Sequence, residues 1–243
     1  MSYSNRYEGG DHVGVWREIR RAMSPTSAEQ EDISDVARMT MRRASAQIEL
    51  LASRYLDLGF LPAITGTPNV RPPKDVTARI AAFETELGPL PISLKASMTE
   101  IGAVSFLGDC GPLGLVYTYK IGQGIPSGMP PGSDFPDPLY LPSIDQFELQ
   151  LEELGREPER ERFNLFEFAP DEFHKAAISG STHDVRLPDS AADPVILGIA
   201  GRPGVTLVEY LRLSVMWGAL PGYSFEPTKA PTALAHLRVH PNF

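Results

Sequence analysis

The stretch covering residues 76–108 constrains the fold of this chain most, because helix-forming and helix-breaking residues alternate along it in a fixed order. Apolar residues at helical spacing predict a first helix that Thr77 caps and Gly88 ends. A leucine–proline pair then begins a second apolar series, which predicts a second helix ending at Gly102. A short apolar run follows and predicts a buried strand. The stretch therefore predicts a unit of helix, tight corner, helix and strand.

This order of residues resembles the SUKH superfamily, which includes bacterial immunity proteins and fungal regulators of cell-wall synthesis. The superfamily opens with a helix ending in Leu-Gly, a Leu-Pro that starts the next helix, and a glycine-rich step into the first strand. The matching residues here are Leu87, Gly88, Leu90, Pro91, Ile101, Gly102, Phe106, Leu107 and Gly108. Later parts of the pattern resemble Asp137-Pro138-Leu139 and the predicted helix from Thr206 to Trp217, so the likeness covers about residues 76–222.

Several short predicted strands lie between predicted helices in the rest of the chain, which indicates an α+β fold. We expect an antiparallel or mixed β-sheet covered by helices. The predicted strands are residues 115–119, 139–141, 163–168, 175–178, 185–187 and 195–199, of which 175–178 and 185–187 are predicted to form a hairpin. A loop rich in glycine and proline at residues 122–138 precedes the second strand, and a predicted helix capped by Ser143 follows that strand.

Residues 1–64 form a predicted helical extension that precedes the main domain. Residues 1–12 are polar and predicted to be irregular, whereas apolar residues at three- and four-residue steps predict a long helix over residues 27–58. Residues 65–75 are rich in proline, which predicts an extended linker to a main domain at residues 76–243. Because this helix and a shorter predicted helix over residues 13–23 together bury too little surface to fold alone, we expect the extension to pack against the main domain.

The net charge of −9 is concentrated in one quarter of the chain. Residues 121–180 hold 12 acidic and 4 basic side chains, whereas the remaining segments are close to neutral. An acidic chain is a poor binder of nucleic acid, which requires cations against its phosphates. A concentrated acidic segment can steer a basic protein partner, although such segments are more often solvated surface.

Cys110 is the single cysteine, so no disulfide can form within the chain, which favours a reducing compartment. The first residues lack the basic and apolar regions of a signal peptide, and no apolar run approaches the ~18 residues of a membrane span. We therefore expect a cytoplasmic protein that does not bind membranes. The sequence carries no signal for its oligomeric state.

The densest group of ionisable residues comprises Asp171, Glu172, His174 and Lys175. A small hydrolase could use Glu172 and His174 as acid and base, and this interpretation is kept as an alternative. A charged turn after a strand is the commoner explanation of such a cluster. Residues 181–184 contain the letters of a serine triad, but triads are assembled from separate loops rather than from neighbours.

Metal and cofactor sites are not expected. His236 and His240 are four residues apart, as in a helical zinc site, but Leu237 stands where the metalloprotease glutamate would be, and Pro241 follows. The glycines of residues 122–128 lack the spacing of a phosphate-binding loop. We therefore expect no catalytic residue, no metal and no cofactor.

The resemblance and the charge distribution together favour a non-catalytic protein-binding module. The superfamily implies an immunity role, in which a bacterial cell binds and neutralises a cognate toxin, often a nuclease. A basic toxin would meet the acidic segment at Asp134, Asp137, Glu148, Glu152, Glu153 and Glu157. The fungal members imply an alternative, a regulatory or scaffold module that binds another protein.

Overall fold

The structure, a computed structural model, describes residues 2–22, 25–63, 66–115, 117, 136–154, 164–172, 174–176, 180–199 and 203–243. These residues form an α+β fold, as predicted. The α-helices are α1 (Tyr3–Glu8), α2 (His12–Ile19), α3 (Ser27–Asp57), α4 (Val76–Leu87), α5 (Ile92–Glu100), α6 (Ile144–Glu153) and α7 (Leu207–Met216). The strands are β1 (Leu61–Pro62), β2 (Asn69–Val70), β3 (Ala103–Ser105), β4 (Gly108–Asp109), β5 (Tyr140–Leu141), β6 (Leu165–Pro170), β7 (Thr182–Arg186), β8 (Val195–Ile196) and β9 (Val205–Thr206).

The long helix α3 begins at a capping box, in which the side chains of Thr26 and Glu29 each accept a hydrogen bond from the other residue's backbone N–H. Its buried side packs against α1, α5 and α7. The Tyr55 hydroxyl donates a 2.6 Å hydrogen bond to the carbonyl of Gly218, just after α7. The buried apolar residues before and after position 76 thus form one contiguous core. The predicted domain boundaries stay a prediction.

Side chains of α3 and α7 also bind the backbone of the C-terminal segment. Gln47 donates a hydrogen bond to the carbonyl oxygen of His240, and the Nε of Arg212 donates one of 2.6 Å to a backbone oxygen of Phe243. The Phe243 ring and the Arg212 guanidinium are both buried. Burial lowers the pKa of Arg212. This segment therefore links the long N-terminal helix to α7.

The central stretch folds into the predicted unit of α4, corner, α5 and β3. Gly88 and Gly102 end the two helices with φ angles of 114° and 84°, which favour glycine. An added Cβ at Gly102 would collide with the Val70 carbonyl oxygen, so this glycine also permits the close approach of β2. The predicted cap by Thr77 is wrong: α4 begins at the buried Val76, two residues earlier than a Thr77 cap requires, and the N-cap residue Asp75 makes no side-chain cap bond.

The residues that carry the SUKH resemblance lie in the core or at turns. Those with buried side chains or backbones are Leu90, Pro91, Ile101, Phe106 and Gly108, whereas Leu87, Gly88, Gly102 and Trp217 are half-buried. The face of the Trp217 ring is covered by the guanidinium of Arg238, whose Cζ lies 3.6 Å from the ring centroid. These positions shape the fold and do not converge on a site.

The strands form three small sheets, and every strand pair in the described residues is antiparallel. The sheets have the strand orders β1-β4, β2-β3-β5 and β6-β7-β8-β9. Strand β2 lies within the predicted linker, so that stretch is extended as expected but also pairs with β3. The observed strands are mostly shorter than predicted. Residues 116 and 118–119 of one predicted strand lie outside the described residues.

Two local predictions are wrong. The described residues 2–12 are not irregular: α1 forms because Ser2 caps it and because Tyr7 is fully buried against the core. The predicted strand at 175–178 is not present in its described part, since His174–Ala176 is a 3₁₀ helix. The hairpin partner of β7 is instead β6. The carboxylate of Asp171 holds the intervening turn by accepting hydrogen bonds from two backbone N–H groups.

Candidate functional site

Helix α6 carries the acidic residues that the sequence singled out. Ser143 and Gln146 form the capping box that starts it, so the predicted Ser143 cap is confirmed. Its apolar side packs on the core through Phe147, whose ring contacts those of Phe83 in α4 and Phe166 in β6. This packing fixes which side of α6 faces outward. The outward acidic side consists of Asp145, Glu148, Glu152 and Glu153.

One arginine offsets part of the negative charge on the first half of this acidic side. Arg79 of α4 forms ion pairs with both Asp145 and Glu148, including a 2.9 Å hydrogen bond from its Nε to Glu148. Hydrogen bonds to Glu148 and then to Asp145 raise the pKa of Arg79. Glu148 therefore contributes to holding α4 and α6 together, and its charge is already paired.

Glu152 and Glu153 are exposed and make no ion pair or side-chain hydrogen bond with the residues that the structure describes. Both lie in the last turn of α6, which contains no basic residue. The C-terminal end of a helix carries a partial negative charge, so these carboxylates add to it instead of offsetting it. The end of α6 is therefore the part of the acidic side with the strongest unpaired negative charge.

The predicted partner-binding residues consequently do not all share one surface. The predicted partner-binding role of Asp137 is wrong, because only 1 % of this residue is exposed and it cannot contact a partner. Glu148 is paired with Arg79, whereas Glu152 and Glu153 face outward as predicted. Asp134 and Glu157 lie outside the described residues.

A groove runs between the outward side of α6 and strand β6, with a volume of about 210 Å³. The side-chain amide of Gln150 closes its base by accepting a hydrogen bond from the backbone N–H of Glu167 and donating one to the carbonyl of the same residue, at 2.6 and 3.0 Å. Strand β6 is the edge of its sheet, so Gln150 takes the place of a further strand at this point. The lining residues are Gln146, Leu149, Gln150, Glu153, Leu154, Leu165, Phe166 and Glu167.

Asp137 forms the centre of a buried polar cluster. Its Oδ1 lies 2.5 Å from the ammonium of Lys175, and both side chains are enclosed by the protein. The Nε2 of His183 lies 3.7 Å from Oδ1 of Asp137 and also 3.7 Å from a carboxylate oxygen of Glu172. Burial alone would raise the pKa of Asp137, but Lys175 and then His183 lower it to about 2. Burial would lower the pKa of Lys175, but Asp137 raises it.

This cluster is an internal ion pair without access for a substrate. Sequence analysis missed it, because Lys175 and His183 were interpreted as residues of charged or polar turns. The sequence feature that could have drawn attention to this cluster was Asp137-Pro138-Leu139, which resembles part of the SUKH pattern. Asp137 has a φ of 48°, a backbone conformation that aspartate adopts more readily than most residues.

The residues of the alternative hydrolase interpretation point to different neighbours. His174 is exposed, and its Nδ1 lies 2.8 Å from the carbonyl oxygen of Ser181. Glu172 faces His183 instead. In the part of the chain that the structure describes, no hydrogen bond joins Glu172 to His174, and neither residue lines the α6–β6 groove. The geometry therefore gives this pair no shared site.

A second and larger groove, of about 1000 Å³, lies between α3, α4, α5 and residues 189–191. Lys95 on its wall is paired with Glu84 at 2.9 Å, and Arg38 is paired with Asp35. None of the described buried polar atoms that lack a hydrogen-bond partner belongs to its lining. Nothing on this wall therefore specifies a ligand.

The described residues contain neither a cluster of metal ligands nor a membrane-spanning helix. Over the described ranges, no group of three or more histidine, cysteine or acidic side chains is arranged to hold a metal ion. His236 ends a 3₁₀ helix, Thr232–His236, so it does not share an α-helical face with His240. Among the described helices, none is long and apolar enough to cross a membrane.

Comparisons of the chain with protein-family models, with curated proteins and with solved structures found no match in any of the three. The likeness to the SUKH superfamily therefore rests on the sequence motifs given above.

Proposed function

We propose that this chain is a non-catalytic, cytoplasmic protein-binding module of the immunity type, which neutralises a basic toxin by covering it with the end of α6. The observation that carries this proposal is the pair of exposed carboxylates, Glu152 and Glu153, at the negative end of a helix with no cation beside them among the described residues. The SUKH resemblance supplies the immunity role, and a nuclease is one candidate toxin.

The electrostatics of this position support a role in recognition. A carboxylate in the last turn of a helix typically costs about 0.3–1 kcal/mol, because it opposes the helix dipole. Two such residues side by side repel each other as well. An arrangement that reduces stability is common where a surface serves binding, and a basic partner would convert both repulsions into attractions.

The test is capture of partners from the native host by the wild type and by Glu152→Lys/Glu153→Lys. Glu148 is left unchanged because it holds Arg79. The matched control is Glu31→Lys/Asp57→Lys, which reverses two exposed carboxylates at the ends of α3. We expect the wild type and the control to capture the same basic protein and the α6 variant to lose it.

Neutralisation is then tested by expressing the captured protein in a host cell together with each variant. The wild type and the α3 control should protect the cell, and the α6 variant should not. Circular dichroism and thermal melting are the controls for folding of the α6 variant. This variant should be slightly more stable than the wild type, because two repulsive charges are removed. Equal capture by all three proteins would reject the acidic interface and favour a scaffold that uses an apolar surface.

A further inference from the structure

The α6–β6 groove has the size of a site for one side chain. Its volume of about 210 Å³ is below the ~300 Å³ at which pockets for small molecules begin. It lies directly beside the unpaired carboxylates at the end of α6, and Glu153 belongs to both. A partner that covers the end of α6 would therefore also cover this groove.

The walls of the groove combine apolar surface with negative charge. Leu149, Leu154 and Leu165 supply the apolar part, and 55 % of Leu149 is exposed. Glu153 supplies a carboxylate, and no basic residue is among those lining residues that the structure describes. An apolar trough that ends in a carboxylate matches the side chains of arginine and lysine, which have an alkyl stem and a cationic head.

The two glutamines of the groove already make hydrogen bonds within the protein. The side-chain oxygen of Gln150 accepts a hydrogen bond from the Glu167 backbone, and that of Gln146 accepts one from the backbone of Ser143. These same bonds fix both glutamines in place before any partner binds. A groove that is already ordered avoids the entropic cost of ordering side chains on association.

From these contacts we infer that the α6–β6 groove holds one arginine or lysine side chain of a protein partner, with its stem on Leu149 and its cationic head at Glu153. This inference rests on the proposed function, because it assigns a residue of the basic partner to a place on the interface. The inference adds a requirement to the proposed function: the partner's side chain must have an alkyl stem as well as a cationic head.

Three pentapeptides with blocked ends separate the two requirements. Each has a central residue flanked by two glycines on either side: arginine, norleucine, which has a stem without charge, or 2,3-diaminopropionate, which has a charge on a short stem. Binding is measured on ¹⁵N-labelled protein from the shifts of backbone amide signals. We expect the arginine peptide to shift signals of residues 146–154 and 165–167 and to bind at least about 4-fold more tightly than either other peptide, the factor for one buried methylene.

Two protein variants complete the test. Leu149→Ala should weaken binding of the arginine peptide by about 4-fold or more, whereas Leu56→Ala, which truncates a leucine of similar exposure on α3, should leave it unchanged. Equal binding of the arginine and diaminopropionate peptides, shifts away from the groove, or no effect of Leu149→Ala would overturn the inference. Those results would leave the proposed function intact if Glu152→Lys/Glu153→Lys still lost the partner. Normal peptide binding together with equal capture of the partner by the wild type and by Glu152→Lys/Glu153→Lys would reject the proposed function instead.

Discussion

Replacing Lys175 with methionine should destabilise the protein by about 3–5 kcal/mol, because it leaves the Asp137 carboxylate buried without its cation. Asp137 is 1 % exposed, and its second oxygen has no hydrogen-bond partner. The pKa of Asp137 is lowered from 3.8 to about 2, so its surroundings favour the charged form by about 2 kcal/mol even after burial. Lys175 is the largest source of that preference, and its removal leaves only His183 to oppose the effect of burial.

The measurement is the free energy of unfolding from urea denaturation at pH 7, with tryptophan fluorescence and circular dichroism as the two probes. Lys95→Met is the matched control, since Lys95 is also paired with a carboxylate, at 2.9 Å, but both partners are partly exposed. Solvent weakens such a pair, so the control should cost at most about 1 kcal/mol. A Lys175→Met variant as stable as the Lys95→Met variant would refute the reasoning.

A double-mutant cycle then isolates the pair itself. Asp137→Asn is the suitable second change, because asparagine tolerates the φ of 48° at this position and keeps the side-chain shape. Each single change leaves one buried charge alone, whereas Lys175→Met/Asp137→Asn leaves none. The double variant should therefore be more stable than the sum of the single changes predicts, by about 2 kcal/mol or more. Additive costs would show that the two residues act separately.

Three further outcomes are expected. Because the folded pKa of Asp137 is below its unfolded value, the stability that its charged form contributes is complete above pH 3.8 and is lost as pH falls towards about 2. Asp137→Asn lacks this contribution, so its urea midpoint should fall less steeply over this interval than that of the wild type. Gly102→Ala should cost about 2–5 kcal/mol in the same assay, since φ is 84° and the added Cβ meets backbone atoms, whereas Gly59→Ala, with φ of 78° in open space, should cost only about 1–2. Arg212→Met should cost about 1–3 kcal/mol and speed proteolytic release of the C-terminal segment; unchanged release would show that its bond to Phe243 does not hold this segment.

Helices were the part of the fold that sequence predicted best, because their signals are local. The cap by Ser143 lies next to the helix that it starts, and the three- and four-residue spacing of apolar side chains lies within a single helix. Strands depend on partners far along the chain, so their predicted ends were less accurate. The clearest case is residues 175–178, where a weak pattern predicted a strand and a turn bound by Asp171 formed in its described part.

The candidate site was predictable only in part for the same reason. Helical periodicity placed Glu152 and Glu153 on the outside of α6. It could not show that Arg79, which is 69 residues away from Glu148, pairs with that residue. Nor could it show that Asp137 and Lys175, 38 residues apart, are buried together. A local pattern shows which side of a helix is polar, but not which of its charges are already paired.

The pairing of charges narrows what the acidic segment can do for a partner. The segment holds 12 acidic side chains, but Asp137 is buried against Lys175, Arg79 is paired with carboxylates at the start of α6, and Asp171 holds a turn. Among the described residues of the segment, the unpaired charge of α6 is confined to its end, and salt screens it beyond about 8 Å at physiological ionic strength. Charge reversal at the exposed glutamates of α6 should therefore mainly slow association, and more so at low salt. Truncation of Leu149 removes short-range packing and should mainly speed dissociation, so kinetics of the captured complex separate the two contributions.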